Sequence, residues 1–133
     1  MSEVVADTHT ALWYLSADPR LSVRAKEALD GATGDGEPIF IPTICVVEAT
    51  YLIEKSRIEP LAMARLDLAV NRPGSAFRPA PLTAEIPFRL SEIPRSSVAD
   101  LPDRVVAASA LALGLPLVTR DGKIRASRIE TIW

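Results

Sequence analysis

Asp103-Arg104-Val105-Val106-Ala107-Ala108-Ser109-Ala110-Leu111-Ala112-Leu113-Gly114-Leu115-Pro116-Leu117-Val118-Thr119-Arg120-Asp121 is the stretch that decides the fold. Val106, Ala107, Ala110 and Leu111 follow Asp103 at helical spacing, and Gly114 supplies the stop. Leu115 to Thr119 then reads as a buried strand. A helix that turns through one glycine into a buried strand is the repeating step of a parallel α/β layer structure. The stretch also begins and ends on an aspartate, each at the margin of an apolar run.

The rest of the chain alternates in the same way. Glu3 to Asp7 reads as a short buried strand, and Thr8 or Thr10 as the cap of a brief helix through Trp13 and Leu15 that stops near Asp18-Pro19. Ser22 caps a helix over Val23 to Leu29, with a loop from Gly31 to Gly36. Pro38 to Ile41 is a second strand, and Thr43 caps a helix ending near Arg57. Pro60 opens another helix through Val70, stopped by Arg72-Pro73-Gly74. In the proline-rich part that follows, Ala76 to Pro79 is a short strand. Thr83 there caps a helix with Pro87 in its first turn. Ile129 to Trp133 is the closing strand.

With 133 residues, 48% hydrophobic and 24% charged, the chain reads as one soluble globular domain. A net charge of -2 gives no global nucleic-acid signal, although acids gathered in one site can hide a basic rim. Cys45 is the only cysteine, so no internal disulfide forms, and its apolar run makes it core filler. Glu3 and Asp7 interrupt the start with no basic region before them, unlike a signal peptide, and no apolar stretch spans a membrane. A cytoplasmic protein with no membrane partner is expected.

Four acids, Asp7, Glu48, Asp103 and Asp121, stand in or beside apolar runs. Asp7 and Asp121 fall just past strand ends, where open α/β sheets bind ligands. Asp103 falls at a helix N-terminus, where the dipole favours an anion. Glu48 lies among Ile44, Cys45, Tyr51 and Leu52 on a helix with almost no polar face. A carboxylate left unpaired there would cost several kcal/mol or stay protonated. Drawn together, these acids suit Mg²⁺ or Mn²⁺, which bind all-oxygen ligands, while a lone His9 and a lone Cys45 argue against zinc. Metals so held activate water for phosphodiester displacement. No Ser/His/Asp set with a second histidine and no phosphate-cradling Gly-Lys-Ser/Thr loop is present.

Each acid taken singly has a plainer reading. Asp103 could cap its helix, Asp121 could be a turn residue, Asp7 an N-cap, and Glu48 could reach the surface. His9 reads as a loop or helix-start residue, and Asp100, Asp30 and Glu54 as solvated or capping groups. Thr119 reads as a strand-end hydroxyl holding a site carboxylate. Arg120, Lys123, Arg125 and Arg128 form a basic patch that either contacts a phosphate backbone or is simply solvated.

The segments resemble the PIN-domain ribonucleases, specifically the VapC-like toxins of type II VapBC toxin–antitoxin pairs, nearly end to end. Asp7-Thr8-His9-Thr10-Ala11-Leu12-Trp13 looks like that family's opening, and Thr43-Ile44-Cys45-Val46-Val47-Glu48 like its helix with an inward Glu. Asp100-Leu101-Pro102-Asp103-Arg104 resembles its Asp-x-x-Asp-Arg helix start. Leu117-Val118-Thr119-Arg120-Asp121 is similar to its strand ending in Thr-x-Asp, and Ile132-Trp133 fits one branch. Thr43 stands where Ser is commoner, and Leu101-Pro102 reverses the usual placement of the proline.

The resemblance implies a single three-layer PIN-like α/β domain over residues 1–133, with a mostly parallel central sheet flanked by helices. It implies an Mg-dependent endoribonuclease that cuts tRNA or rRNA and is neutralised by a cognate antitoxin covering the site. A homodimer or a toxin–antitoxin hetero-oligomer is implied as well. Asp7, Glu48, Asp103 and Asp121 match the four catalytic and metal-binding positions, Thr119 the accompanying hydroxyl and Asp100 the outer Asp. Asp103 is assigned to the metal because it shares the stripe of Val106, Ala107 and Ala110. The rival reading is a non-catalytic PIN-like module whose carboxylates grip a basic peptide. A phosphorylated-Asp receiver domain lacks its set of paired acids and later Lys.

Overall fold

Val4, Val5 and Ala6 form strand β1, and all three are buried. A strand with no polar side must be covered on both faces, so it belongs at the centre of a sheet. In the computed structural model, which describes residues 2–133, β1 is the middle of five strands. Met1, part of the expected domain, lies outside the described residues. The other strands are β2 (Ile39–Pro42), β3 (Phe77–Ala80), β4 (Leu117–Val118) and β5 (Thr131–Ile132). Their order is β3-β2-β1-β4-β5, and every pairing is parallel. β1 meets β2 at Val4↔Ile39 and β4 at Val5↔Leu117. Pro79, which cannot donate to a ladder, sits in edge strand β3.

The chain runs outward from β1 to β3, then returns to the far side of β1 for β4 and β5. The carboxyl ends of β1 and β4 therefore lie side by side at the switch point, the position where such sheets bind ligands. Among the described residues seven α-helices connect and flank the strands: α1 (Thr8–Leu15), α2 (Val23–Gly34), α3 (Thr43–Glu54), α4 (Pro60–Asn71), α5 (Glu85–Arg89), α6 (Leu101–Leu113) and α7 (Gly122–Arg125). α1, α3 and α4 pack on one another, and α6 packs on both α3 and α5. Val5, Ile39, Ile41, Leu117 and Val118 from the sheet are fully buried under Leu29, Leu66, Ile93, Val98 and Ile124. Each large aliphatic side chain so buried contributes about 1.5–3 kcal/mol. No helix among the described residues is long and apolar enough to cross a membrane.

Several boundaries differ from expectation. The stretch Gly31 to Gly36, expected as a loop, is helical as far as Gly34. Burial of Ala32 and a bond from Thr33 Oγ1 to the Leu29 carbonyl (3.0 Å) outweigh the weak helix propensity of glycine, roughly 1 kcal/mol per residue. The turn closes at Gly36, whose φ of +70° suits a residue without a Cβ. α3 stops at Glu54, short of Arg57, because Ser56 takes φ +57° and the amides of Ser56 and Arg57 turn back to the carbonyls of Ile53 and Leu52.

The expected caps also moved. Asp7, not Thr8 or Thr10, caps α1, and both threonines are buried within it. Pro42 precedes α3, leaving Thr43 as its first residue without a capping bond. Ala84 precedes α5, to which Thr83 gives only its backbone carbonyl. α6 begins at Leu101, with Asp100 as its cap and Pro102 in its first turn, so Asp103 lies inside the helix. The single turn α7 was not expected at all.

Candidate active site

Asp7 directly follows β1, and its two carboxylate oxygens have different partners. Oδ1 accepts from the Thr10 amide (3.1 Å), which caps α1, while Oδ2 accepts from the Thr119 hydroxyl. Thr119 is fully buried just past β4 and also accepts from the Asp121 amide (3.0 Å). One hydroxyl thus ties together the acids that follow two neighbouring strands. Asp121 Oδ1 accepts from the amides of Lys123 (2.9 Å) and Ile124 (3.0 Å), capping α7. The turn and capping readings of Asp7 and Asp121 are both correct. They coexist with a place in the site because a carboxylate oxygen that accepts one hydrogen bond keeps a further lone pair.

Glu48 projects from α3 and is half-buried, with Oε1 accepting from the Thr8 hydroxyl. The expectation that α3 has almost no wet face is corrected by the structure. Val47 and Tyr51 are 51% and 60% exposed, and only Cys45 and Ala49 are fully covered. Apolar composition concealed that open side. Cys45 is buried beneath the acids. Burial, opposed by a hydrogen bond with Thr8 and reinforced by the charges of Asp7, Glu48 and Asp103, pushes its thiol far up. It stays a neutral thiol, in keeping with its reading as core filler.

Asp103, in the first turn of α6, is half-buried. Burial first, then the charges of Asp100, Asp121 and Glu48, push its carboxyl up to about 7, helped by a hydrogen bond with Asp121. Asp100 is exposed and caps α6 through Oδ2, which accepts from the Asp103 amide (3.1 Å). Asp30, read as a solvated group, pairs with Lys26 and accepts from the Tyr14 hydroxyl (2.8 Å), and Glu54 is exposed.

All four sequence-selected acids, Asp7, Glu48, Asp103 and Asp121, line one cavity of about 320 Å³, together with Asp100. Thr119 lies behind its wall rather than in it. Thr8, His9, Thr10, Trp13, Val106 and Arg120 complete the lining. His9 is exposed in α1, with its ring 5.4 Å from that of Trp13. Thr8 and Trp13 were not singled out from sequence. The available signal was a hydroxyl directly after a strand-end acid, and an indole one helical turn beyond His9.

The donors facing this cavity are carboxylate oxygens and hydroxyls, the hard ligands preferred by Mg²⁺ and Mn²⁺. Asp103 is raised first by burial and then by the charges of Asp100, Asp121 and Glu48, which gather around it. A divalent cation fits that set. Among the described residues no three His, Cys, Asp or Glu side chains are grouped closely enough, as they stand, to hold a metal ion.

The family model for the PIN domain matches residues 4–129, a span that includes every acid of the cavity. The chain belongs to the PIN domain family. Over its full length this PIN domain chain is 29% identical to Ribonuclease VapC22 of Mycobacterium tuberculosis, aligned across 100% of both proteins. Its fold is similar to that of VapBC2 from Rickettsia felis bound to a promoter DNA fragment, with a TM-score of 0.70 and 19% identity over 97% of this chain and 96% of the other. A toxin–antitoxin complex from Klebsiella pneumoniae gives a TM-score of 0.68 and 21% identity, covering 98% of this chain and 96% of that one. For FitAcB from Neisseria gonorrhoeae the values are 0.61 and 19%, with 96% and 95% covered. The PIN fold and its parallel sheet are as the sequence motifs implied.

Proposed function

We propose that this PIN domain protein, one domain over residues 1–133, is a VapC-like toxin that cuts tRNA or rRNA with the help of Mg²⁺, Mn²⁺ being the substitute. A cognate antitoxin would cover the cavity, within a homodimer or a toxin–antitoxin hetero-oligomer. The observation that carries this reading is the meeting of Asp7, Glu48, Asp103 and Asp121 in one cavity at the carboxyl edge of the sheet. The end-to-end relative named as a ribonuclease and the toxin–antitoxin complexes of similar fold support it.

Asp7, Asp103 and Asp121 would hold the metal, and Glu48 would hold it too or position the attacking water. When bound, such an ion supplies charge neutralisation at the phosphate and a more acidic water. The rest is done by the chain. Thr119 fixes one oxygen of Asp7, so that carboxylate cannot swing away from the cavity. Thr8 fixes one oxygen of Glu48 and leaves the other to orient water and accept its proton.

The test replaces Asp7 by Asn and follows RNA cleavage in Mg²⁺ and in EDTA. The wild type in Mg²⁺ is expected to cut and the other combinations to fail. Cleavage surviving either treatment overturns the mechanism. Expression in a bacterium separates the rival: growth arrest by both wild type and Asp7→Asn would instead favour a binding module that grips a basic peptide.

A further inference from the structure

Arg120 stands between buried Thr119 and half-buried Asp121, in a cavity lined by five carboxylates. Yet among the described residues it pairs with none of them. Its guanidinium lies instead over the indole of Trp13, 4.6 Å from the ring centroid. Trp13 is itself fixed, being 5% exposed and packed against Trp133 at 6.0 Å and His9 at 5.4 Å. The backbone beneath Arg120 is equally constrained, because the Thr119 amide donates to the Ile132 carbonyl (3.2 Å) and the Asp121 amide to Thr119 Oγ1.

The same indole carries a second cation, Arg20, at 5.0 Å. Arg20 is already neutralised: its Nε and Nη2 donate to the two oxygens of Asp18 at 3.0 and 2.8 Å. The two arginines thus share a ring and differ in whether their donors are occupied. Stacking uses the face of a guanidinium and leaves its in-plane N–H fork free. In Arg120 that fork has no acceptor among the described residues and lies at an acidic cavity. Such a cavity repels a polyanion, so a substrate entering it needs a fixed cation beside it.

We propose that Arg120 is a substrate-positioning residue that grips a backbone phosphate flanking the scissile one and sets the register of the RNA on the carboxylates. This rests on the ribonuclease reading above.

The experiment measures steady-state cleavage of total tRNA and of a short fluorescein-labelled single-stranded RNA in Mg²⁺, across a salt series. It compares wild type, Arg120→Gln, Arg120→Lys and Arg20→Gln, each checked for folding by circular dichroism. Arg120→Gln is expected to raise KM about tenfold with kcat little changed, as loss of one charge-assisted phosphate contact does. The salt dependence of log kcat/KM should flatten by about 0.7, the value of one phosphate contact to a single strand. Arg120→Lys should recover part of the loss and all of the salt slope, and Arg20→Gln should stay within about twofold of wild type. An Arg120→Gln enzyme equal to wild type, one altered only in kcat, or one matched by Arg20→Gln overturns the proposal. If the wild type cuts neither RNA, the ribonuclease reading itself falls and takes this one with it.

Discussion

The hydroxyl of Thr119, one residue past β4, donates to the carboxylate of Asp7, one residue past β1. These residues are far apart in sequence and meet only because β1 and β4 are parallel neighbours in register. Thr119→Val keeps the shape and removes this bond together with the one that Thr119 Oγ1 accepts from the Asp121 amide. Leaving a charged partner short of a buried donor costs about 2 kcal/mol, so the urea midpoint should fall accordingly. RNA cleavage should drop while Thr119→Ser stays near wild type. A valine variant as stable and active as the parent would show that the hydroxyl and its two bonds matter to neither.

Asp103 makes metal-free stability depend on pH in a definite direction. Its carboxyl is raised from 3.8 to about 7 in the folded protein. The folded chain therefore holds a proton that the unfolded chain has already released. The stability this gives is present in full below about 4 and is lost as the pH rises through about 7. Thermal melts in EDTA should show Tm falling across that window more steeply for wild type than for Asp103→Asn. Saturating Mg²⁺ should remove the difference by supporting the charged form. Identical pH profiles for the two proteins would refute it.

Thr8 and Glu48 form the second side-chain link across the site. Glu48→Gln should lower kcat by about 10²–10⁴-fold if this carboxylate takes the proton of the attacking water. Thr8→Val should have a smaller effect, on the order of tenfold, because Glu48 keeps its carboxylate and loses the contact that orients it. Single-turnover cleavage separates the two, and a Thr8→Val defect exceeding that of Glu48→Gln would contradict this division of roles.

Arg104 points away from the acids and clamps the backbone ahead of α6. Its Nε and Nη2 donate to the Ile93 carbonyl at 3.2 and 3.0 Å, and Nη2 also donates to the Leu90 carbonyl at 2.8 Å. Arg104→Ala should destabilise by about 2 kcal/mol, and Arg104→Lys should recover little because an ammonium cannot reproduce the fork. Hydrogen exchange should quicken over residues 90–98 first. Uniform exchange along the chain would show that the clamp is not local.

The parallel sheet was legible because its central strands are short apolar runs: Val4–Ala6, Ile39–Ile41 and Leu117–Val118 have no polar face to misassign. The acids at their ends were legible for the same reason, since a carboxylate closing such a run stands out against it. Helix ends were less so. Gly31 and Gly34 read as breakers, but the burial of Ala32 between them kept the helix going. Glu48 read as enclosed because its helix is apolar, although Val47 and Tyr51 lie open to solvent. Side-chain direction was illegible: the sequence placed Arg120 beside Asp121 and gave no sign that an indole more than a hundred positions earlier would hold it.

Asp7 and Asp121 each use one oxygen to finish a helix, and the other oxygen of Asp7 accepts from Thr119. An amide in place of either acid retains an oxygen for the helix and abolishes the charge. On the proposed mechanism, asparagine at Asp121 should give a folded but inactive copy, and at Asp7 one that also gives up the bond from Thr119, whereas alanine at either position takes away the helix cap as well. A single nucleotide change converts an Asp codon to an Asn codon, so on that mechanism such an inactive copy is one mutational step away.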